Sequence, residues 1–149
     1  MTGAVPSPDL PADVARAAAV GDAMIRAPKT LPPTATVGEV RRFFEDDHVH
    51  AALVVDDGRL LAVVERADLA ESIPPERSAA GIGRLEGRTV APDAALVPVW
   101  DRMRDEGRRR LAVVDERGRC LGLLCLKRSG RGFCSDDDVE DRRREREGR

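Results

Sequence analysis

The sequence predicts an α/β (α+β) protein made of two β-α-β-β-α repeats related by a pseudo-two-fold axis. Three observations predict it. The first is internal repetition. Thr30-Leu31-Pro32-Pro33-Thr34-Ala35 aligns with Thr89-Val90-Ala91-Pro92-Asp93-Ala94, and at the same offset Leu53-Val54-Val55-Asp56 falls on Ala112-Val113-Val114-Asp115. One extra residue in the second copy then brings Gly58-Arg59 onto Gly118-Arg119 and Leu61-Ala62-Val63-Val64 onto Leu121-Gly122-Leu123-Leu124. The second observation is that helical and strand periodicities follow each other in the same order in both copies. The third is size: 149 residues, 42% hydrophobic and 35% charged, suit one compact domain or two small units sharing a core. Two copies of about sixty residues favour a paired unit over a solenoid.

Each element follows from its residues. In the first copy Thr30 and Leu31 open a short strand. Thr36 then starts a helix, with Glu39 three residues on in the capping-box arrangement. Val37, Val40 and Phe44 recur at helical spacing, with Phe43 beside them. Two apolar runs, Ala51 to Val55 and Leu60 to Val64, flank Asp56-Asp57-Gly58-Arg59 and read as a β-hairpin. A second helix is expected from Arg66 to just before Pro74-Pro75. In the second copy Leu96, Val99, Trp100 and Met103 form the helical stripe. Pro98 falls in its first turn, where a missing N–H does little harm. Leu111 to Val114 and Cys120 to Leu126 make the second hairpin around Asp115-Glu116-Arg117-Gly118.

Outside the repeats, Met1 to Ala12 is Pro-rich, and Asp13 to Ala19 is expected to form a short helix. The division is then 1–19 as an N-terminal extension, 20–75 and 76–130 as the repeats, and 131–149 as a charged tail. That tail mixes Asp136-Asp137-Asp138 with Arg142-Arg143-Arg144-Glu145-Arg146 and has almost no apolar residues, so it is expected to be disordered or a solvated helix.

Composition excludes several classes. The 25 basic and 27 acidic residues leave a net charge of −2, without the basic surplus of a non-specific nucleic-acid binder. Aromatic residues are 3% with no Tyr, so stacking platforms for single strands are lacking. No apolar run approaches the roughly 20 residues of a membrane helix, and the start lacks a signal-peptide pattern. The chain is therefore expected in the cytoplasm. Its cysteines, Cys120, Cys125 and Cys134, are expected to be reduced thiols there. Neither His48 nor His50 neighbours a nucleophile in sequence, and Ala79-Ala80-Gly81-Ile82-Gly83 falls in the inter-repeat connection rather than after a strand. No catalytic residues are assigned, and the chain reads as a non-enzyme. Asp46-Asp47-His48-Val49-His50 is taken as a surface helix end rather than a metal site, and Arg108-Arg109-Arg110 as a solvated helix terminus.

The duplicated order resembles a tandem pair of cystathionine-β-synthase (CBS) domains, a Bateman module. The stretches that carry the resemblance are Val20-Gly21-Asp22-Ala23-Met24, Thr30 to Val37, Leu53 to Asp56, and Ala62-Val63-Val64-Glu65-Arg66-Ala67-Asp68-Leu69, within about residues 20–128. The resemblance implies a regulatory module that binds an adenosine-containing ligand such as AMP, ADP, ATP or S-adenosylmethionine in a cleft between its repeats. It also implies homodimers and an unknown protein target, and it calls for no cofactor.

The family's ligand motif runs from a Gly through two apolar residues and a Thr or Ser to an Asp. Carried onto the first copy, it assigns Asp68 to the ribose hydroxyls, Thr30 and Arg66 to phosphate or its substitute, and Ala62, Val63, Val64 and Leu53 to the adenine wall. A carboxylate accepts from both ribose hydroxyls, while hydroxyl and N–H donors hold phosphate. Glu65 stands where the family has a hydroxyl. Facing a phosphate unneutralised, it repels, which favours adenosine or S-adenosylmethionine over ATP unless Glu65 turns away or a cation or Arg66 compensates. In the second copy Thr89, Cys125, Lys127 and Arg128 stand at the equivalent positions. Arg128 has donors only and cannot replace the ribose-binding Asp, so this site is degenerate or has turned Lys127 and Arg128 to phosphate contacts. The alternative reading is a ligand-free interaction or dimerisation module that docks a protein or RNA partner.

Overall fold

A computed structural model describes residues 18–134. Met1 to Ala12, most of the helix expected before Ala19, and the tail from residue 135 lie outside the described residues. The elements in chain order are α1 (Val20–Ala23), β1 (Thr30–Leu31), α2 (Val37–Phe43), β2 (Ala52–Asp56), β3 (Arg59–Val64), 3-10 turns at Arg66–Asp68 and Ala79–Gly81, β4 (Thr89–Val90), α3 (Leu96–Glu106), β5 (Arg110–Val114) and β6 (Cys120–Cys125). The mixed α/β character and the repeated β-α-β-β order agree with the sequence. The described residues form two three-stranded sheets, β1-β2-β3 and β4-β5-β6.

These elements form two compact units, and neither is contiguous in the chain. One gathers residues 29–89 and 114–120; the other gathers 18–28, 90–113 and 121–134.

In the first unit β1 runs parallel to β2, which pairs antiparallel with β3. The cap on α2 is the one the sequence writes. Thr36 Oγ1 accepts from the Glu39 N–H at 3.2 Å, and Glu39 Oε1 accepts from the Thr36 N–H at 3.0 Å. The helix lays Val40 and the following Phe44 on Ala52, Val54, Ala62 and Val64, the inward side of the β2–β3 hairpin. Asp57 and Gly58 turn that hairpin with φ of 50° and 83°, the pair of left-handed residues a two-residue turn requires. At the hairpin tip Leu60 N–H donates to Gly118 O and Cys120 N–H to Gly58 O.

The second helix of this copy is a correction. The expected helix from Arg66 is a single 3-10 turn, Arg66–Asp68, because Leu69 leaves helical space at φ −93°, ψ 63°. Beyond it, Arg41 Nη2 donates to the Ala70 and Ile73 carbonyls at 2.9 and 2.8 Å, which serves acceptors a helix would have used. Pro74 also disfavours helical backbone at Ile73.

In the second unit α1 and α3 cover the β4-β5-β6 sheet through Val20, Leu96, Val99, Met103, Leu111, Val113 and Leu124. Pro98 is the third residue of α3, inside the first turn, as expected. The helix stops at Gly107, whose left-handed φ of 67° lets its N–H reach the Arg104 carbonyl. On β6, Gly122 passes so close to Ile25 that a methyl group there would collide with the Ile25 carbonyl oxygen and come within 2.8 Å of Met24 Sδ. The backbone cannot simply retreat, since Ile25 and Leu123 exchange both N–H···O bonds. Gly122→Ala is therefore expected to cost about 1–3 kcal/mol. A urea midpoint unchanged from wild type would contradict that close approach.

The chain after β6 supplies two further corrections. Among the described residues no helix follows; Lys127 to Gly130 turns, and the chain returns along β6 with Leu126 bridged to Phe133. Phe133 and Cys134 are buried, so the charged tail begins later than residue 131. Trp100 holds the return, with its indole N–H on Gly130 O at 2.7 Å and its ring edge-on to Phe133. The expectation of three reduced thiols is also overturned. Cys125 and Cys134 form a disulfide between Cα atoms 5.3 Å apart, in which Cys120 takes no part. Sequence spacing alone had no means of bringing Cys134 back beside β6. No helix among the described residues is long and apolar enough to cross a membrane.

Candidate ligand site

Strand register assembles part of the expected site within the first unit. Thr30 on β1 pairs with Leu53 on β2, and Leu53 pairs with Val63 on β3, so the three stand in one row across the sheet. Side chains alternate between faces along a strand. Ala52, Val54, Ala62 and Val64 point into the unit's core, so Leu53 and Val63 point to the opposite face. Of the four residues expected to wall an adenine, only Leu53 and Val63 lie on that face. Ala62 and Val64 are core residues.

Asp68 lies just past the end of β3, in the 3-10 turn that Glu65 precedes. Its Oδ2 accepts from the Glu65 N–H at 2.8 Å. The same carboxylate is gripped by Arg88, with Nη1 on Oδ2 at 2.5 Å and Nη2 on Oδ1 at 3.0 Å. Arg88 Nη1 also donates to the Val63 carbonyl at 2.7 Å, and its Nε lies 3.4 Å from Glu65 Oε1. The two partners are buried, with side-chain exposures of 6% for Arg88 and 8% for Asp68. Burial pushes the Asp68 carboxyl up, but the hydrogen bonds from Arg88 and the Glu65 N–H outweigh it and hold the carboxyl below its ordinary value. Reciprocally, the hydrogen bond to Asp68 raises Arg88 against its own burial.

The arrangement answers the question that Glu65 poses. A cation does compensate it, and the cation is Arg88. Arg66 is engaged elsewhere: its Nη2 donates to the Asp46 and Val49 carbonyls at 3.2 and 2.9 Å, and its guanidinium lies over the Phe44 ring. Arg66 therefore fastens the loop after α2 and is not turned toward Asp68.

The family model of the CBS domain matches residues 20–75 and 88–128. The chain belongs to the CBS-domain family. Its repeats are thus a CBS pair. Among curated proteins it is 26% identical over 106 residues to the uncharacterized protein MJ1232 of Methanocaldococcus jannaschii, which covers 70% of this chain and 36% of that protein. The chain thus spans about a third of the length of the curated relative it matches. Among solved structures, the cystathionine beta-synthase pair domain of SO5017 from Shewanella oneidensis aligns with a TM-score of 0.64 at 20% identity, covering 85% of this chain and 72% of that one. The CBS domain protein PAE2072 from Pyrobaculum aerophilum, complexed with AMP, aligns with a TM-score of 0.58 at 25% identity, covering 74% and 93%.

The second CBS repeat offers a different set. Cys125 is buried and disulfide-bonded, and Arg128 is exposed in the turn after β6. Lys127 is half-buried, with its N–H on the Gly132 carbonyl. Thr89 is on β4. No carboxylate stands at the position equivalent to Asp68, which Arg128 occupies.

Arg88 is the site residue that sequence reasoning missed. It is 20 residues from Asp68, and no local pattern couples the two. One signal was available: a basic residue precedes the strand Thr in both copies, Lys29 before Thr30 and Arg88 before Thr89. The two differ in use, since Lys29 lies over the Phe43 ring.

Proposed function

We propose that this CBS pair is a non-enzymatic regulatory module that binds an adenosine-containing ligand at its first repeat, with the second repeat's site degenerate. The observation that carries the reading is Asp68: an ionised carboxylate just past the end of β3, tied through Arg88 to the carbonyl of Val63 in the row Thr30, Leu53 and Val63. Its two oxygens are the acceptors a ribose diol needs, and AMP bound to the PAE2072 relative supports the ligand class. Occupancy regulates only if the ligand binds one arrangement of the chain better than another. A cytoplasmic location, a homodimer and a separate protein target complete the proposal.

The test is a thermal-shift panel with AMP, ADP, ATP, adenosine and S-adenosylmethionine on wild type and Asp68→Asn. A ligand at a hundred times its dissociation constant adds roughly 2.7 kcal/mol, or several degrees. The expected result is a shift with at least one member that Asp68→Asn abolishes. No shift with any of the five, repeated by calorimetry, would leave the interaction module that docks a protein partner as the better reading.

A further inference from the structure

Asp68 is not waiting empty-handed. All three nitrogens of the Arg88 guanidinium are spoken for, by Asp68, the Val63 carbonyl and Glu65, and the group is buried. A ribose can reach the Asp68 carboxylate only by taking it from Arg88. What then becomes of the arginine decides which ligand the site accepts.

We propose that Arg88 is the phosphate-reading residue of this site: it holds Asp68 in the free chain and passes to the ligand's 5′-phosphate when the ribose hydroxyls take Asp68. The inference rests on the adenosine-binding reading above and names the ligand class as adenosine 5′-phosphates. A guanidinium offers the same planar fork to a carboxylate and to a phosphate, so the exchange keeps Arg88 paired with an anion and Asp68 hydrogen-bonded. Asp68 trades two N–H donors for two O–H donors, and Arg88 trades one anion for another. Unphosphorylated adenosine performs only half of the exchange. It leaves the buried Arg88 with Val63 O and the more distant Glu65, and a buried charge deprived of a partner is costly. Arg88 also weakens the objection raised by Glu65, because its Nε lies 3.4 Å from that carboxylate and offsets its charge. The preference is accordingly the reverse of the one the sequence suggested: phosphate helps. The expected discrimination is on the order of tenfold to a hundredfold, the size of one hydrogen bond to a charged group.

Titration calorimetry with AMP and with adenosine, on wild type, Arg88→Gln and Arg88→Lys, tests this on the full chain. Wild type is expected to bind AMP at least tenfold more tightly than adenosine. Arg88→Gln is expected to lose most of that ratio by weakening AMP, and Arg88→Lys to keep part of it, as a point charge without the fork. A wild-type ratio near one overturns the proposal with no substitution needed, so a variant that fails to fold does not shield it. Arg88→Gln binding AMP as tightly as wild type, or more tightly, also overturns it and makes Arg88 a mere obstruction. The proposal fails equally if only Arg88→Gln binds AMP, in which case the arginine is a permanent occupant. If no protein binds either ligand, the adenosine-binding reading itself falls and takes this inference with it.

Discussion

Arg88→Ala lowers the unfolding free energy by about 3–5 kcal/mol, the cost of leaving one partner of a buried ion pair alone. For a chain of this size that is a fall of roughly ten degrees in the melting midpoint. The loss comes from Asp68, which keeps its burial and the Glu65 N–H but loses both guanidinium bonds. The pair also writes a pH signature. The folded carboxyl lies below its unfolded value of about 3.9, so its stabilisation is complete above that value and disappears as pH falls through the folded one. Asp115, depressed by the N–H groups of Arg119 and Arg117 in its turn, adds to the same acid limb. Denaturant titrations across the acid range should therefore show wild type losing stability more steeply than Asp68→Asn, with a residual slope in the variant. A loss below 1 kcal/mol in Arg88→Ala at neutral pH would mean that the pair does not persist in solution.

The second large effect is expected far from that pair. Phe133→Ala should cost about 3–5 kcal/mol, the range for emptying a buried aromatic position. Phe133 is buried against the Trp100 edge, and the segment that carries it is stitched to β6 by the Leu126 bridge and the Cys125–Cys134 disulfide. Trp100 is the chain's single tryptophan, so its fluorescence reports the event directly. With Phe133 truncated the indole meets water and its emission moves to longer wavelength. Unchanged emission and stability would return residues 129–134 to the status of an appended tail.

These two positions show where sequence reasoning reached and where it stopped. What depends on neighbours along the chain was legible. Thr36 and Glu39 are three residues apart and cap one another as written, and Asp57-Gly58 makes the turn between two apolar runs. The repetition gave the order of strands and helices because the same spacing occurs twice. What depends on distant partners was not legible. Arg66 follows Glu65 directly, which made it the natural phosphate group, yet its length carries it back to the carbonyls of Asp46 and Val49. The helix expected after it fails for a similar reason, since Arg41 on another element holds the carbonyls of Ala70 and Ile73. Ala62 and Val64 were grouped with Val63 as one motif, and strand alternation divides them between two faces. Cys134 looked like part of a polar tail because sequence composition cannot see a chain reversal at Ser129-Gly130.

The interleaving of the two units has a consequence for how the chain is made. Residues 29–89 supply all but one turn of their unit, and they emerge from synthesis as an unbroken stretch. The other unit draws on residues before 29 and on residues after 120, so its earliest part must wait for its latest. Throughout that wait the first helix has no sheet to cover, and Val20 and Ile25, buried in the finished protein, stay wet. Long-range closure of this kind slows assembly and prolongs exposure of apolar surface. Birth order along the ribosome and order of completion in space therefore run in opposite directions for the first nine residues of the CBS pair, 20–28.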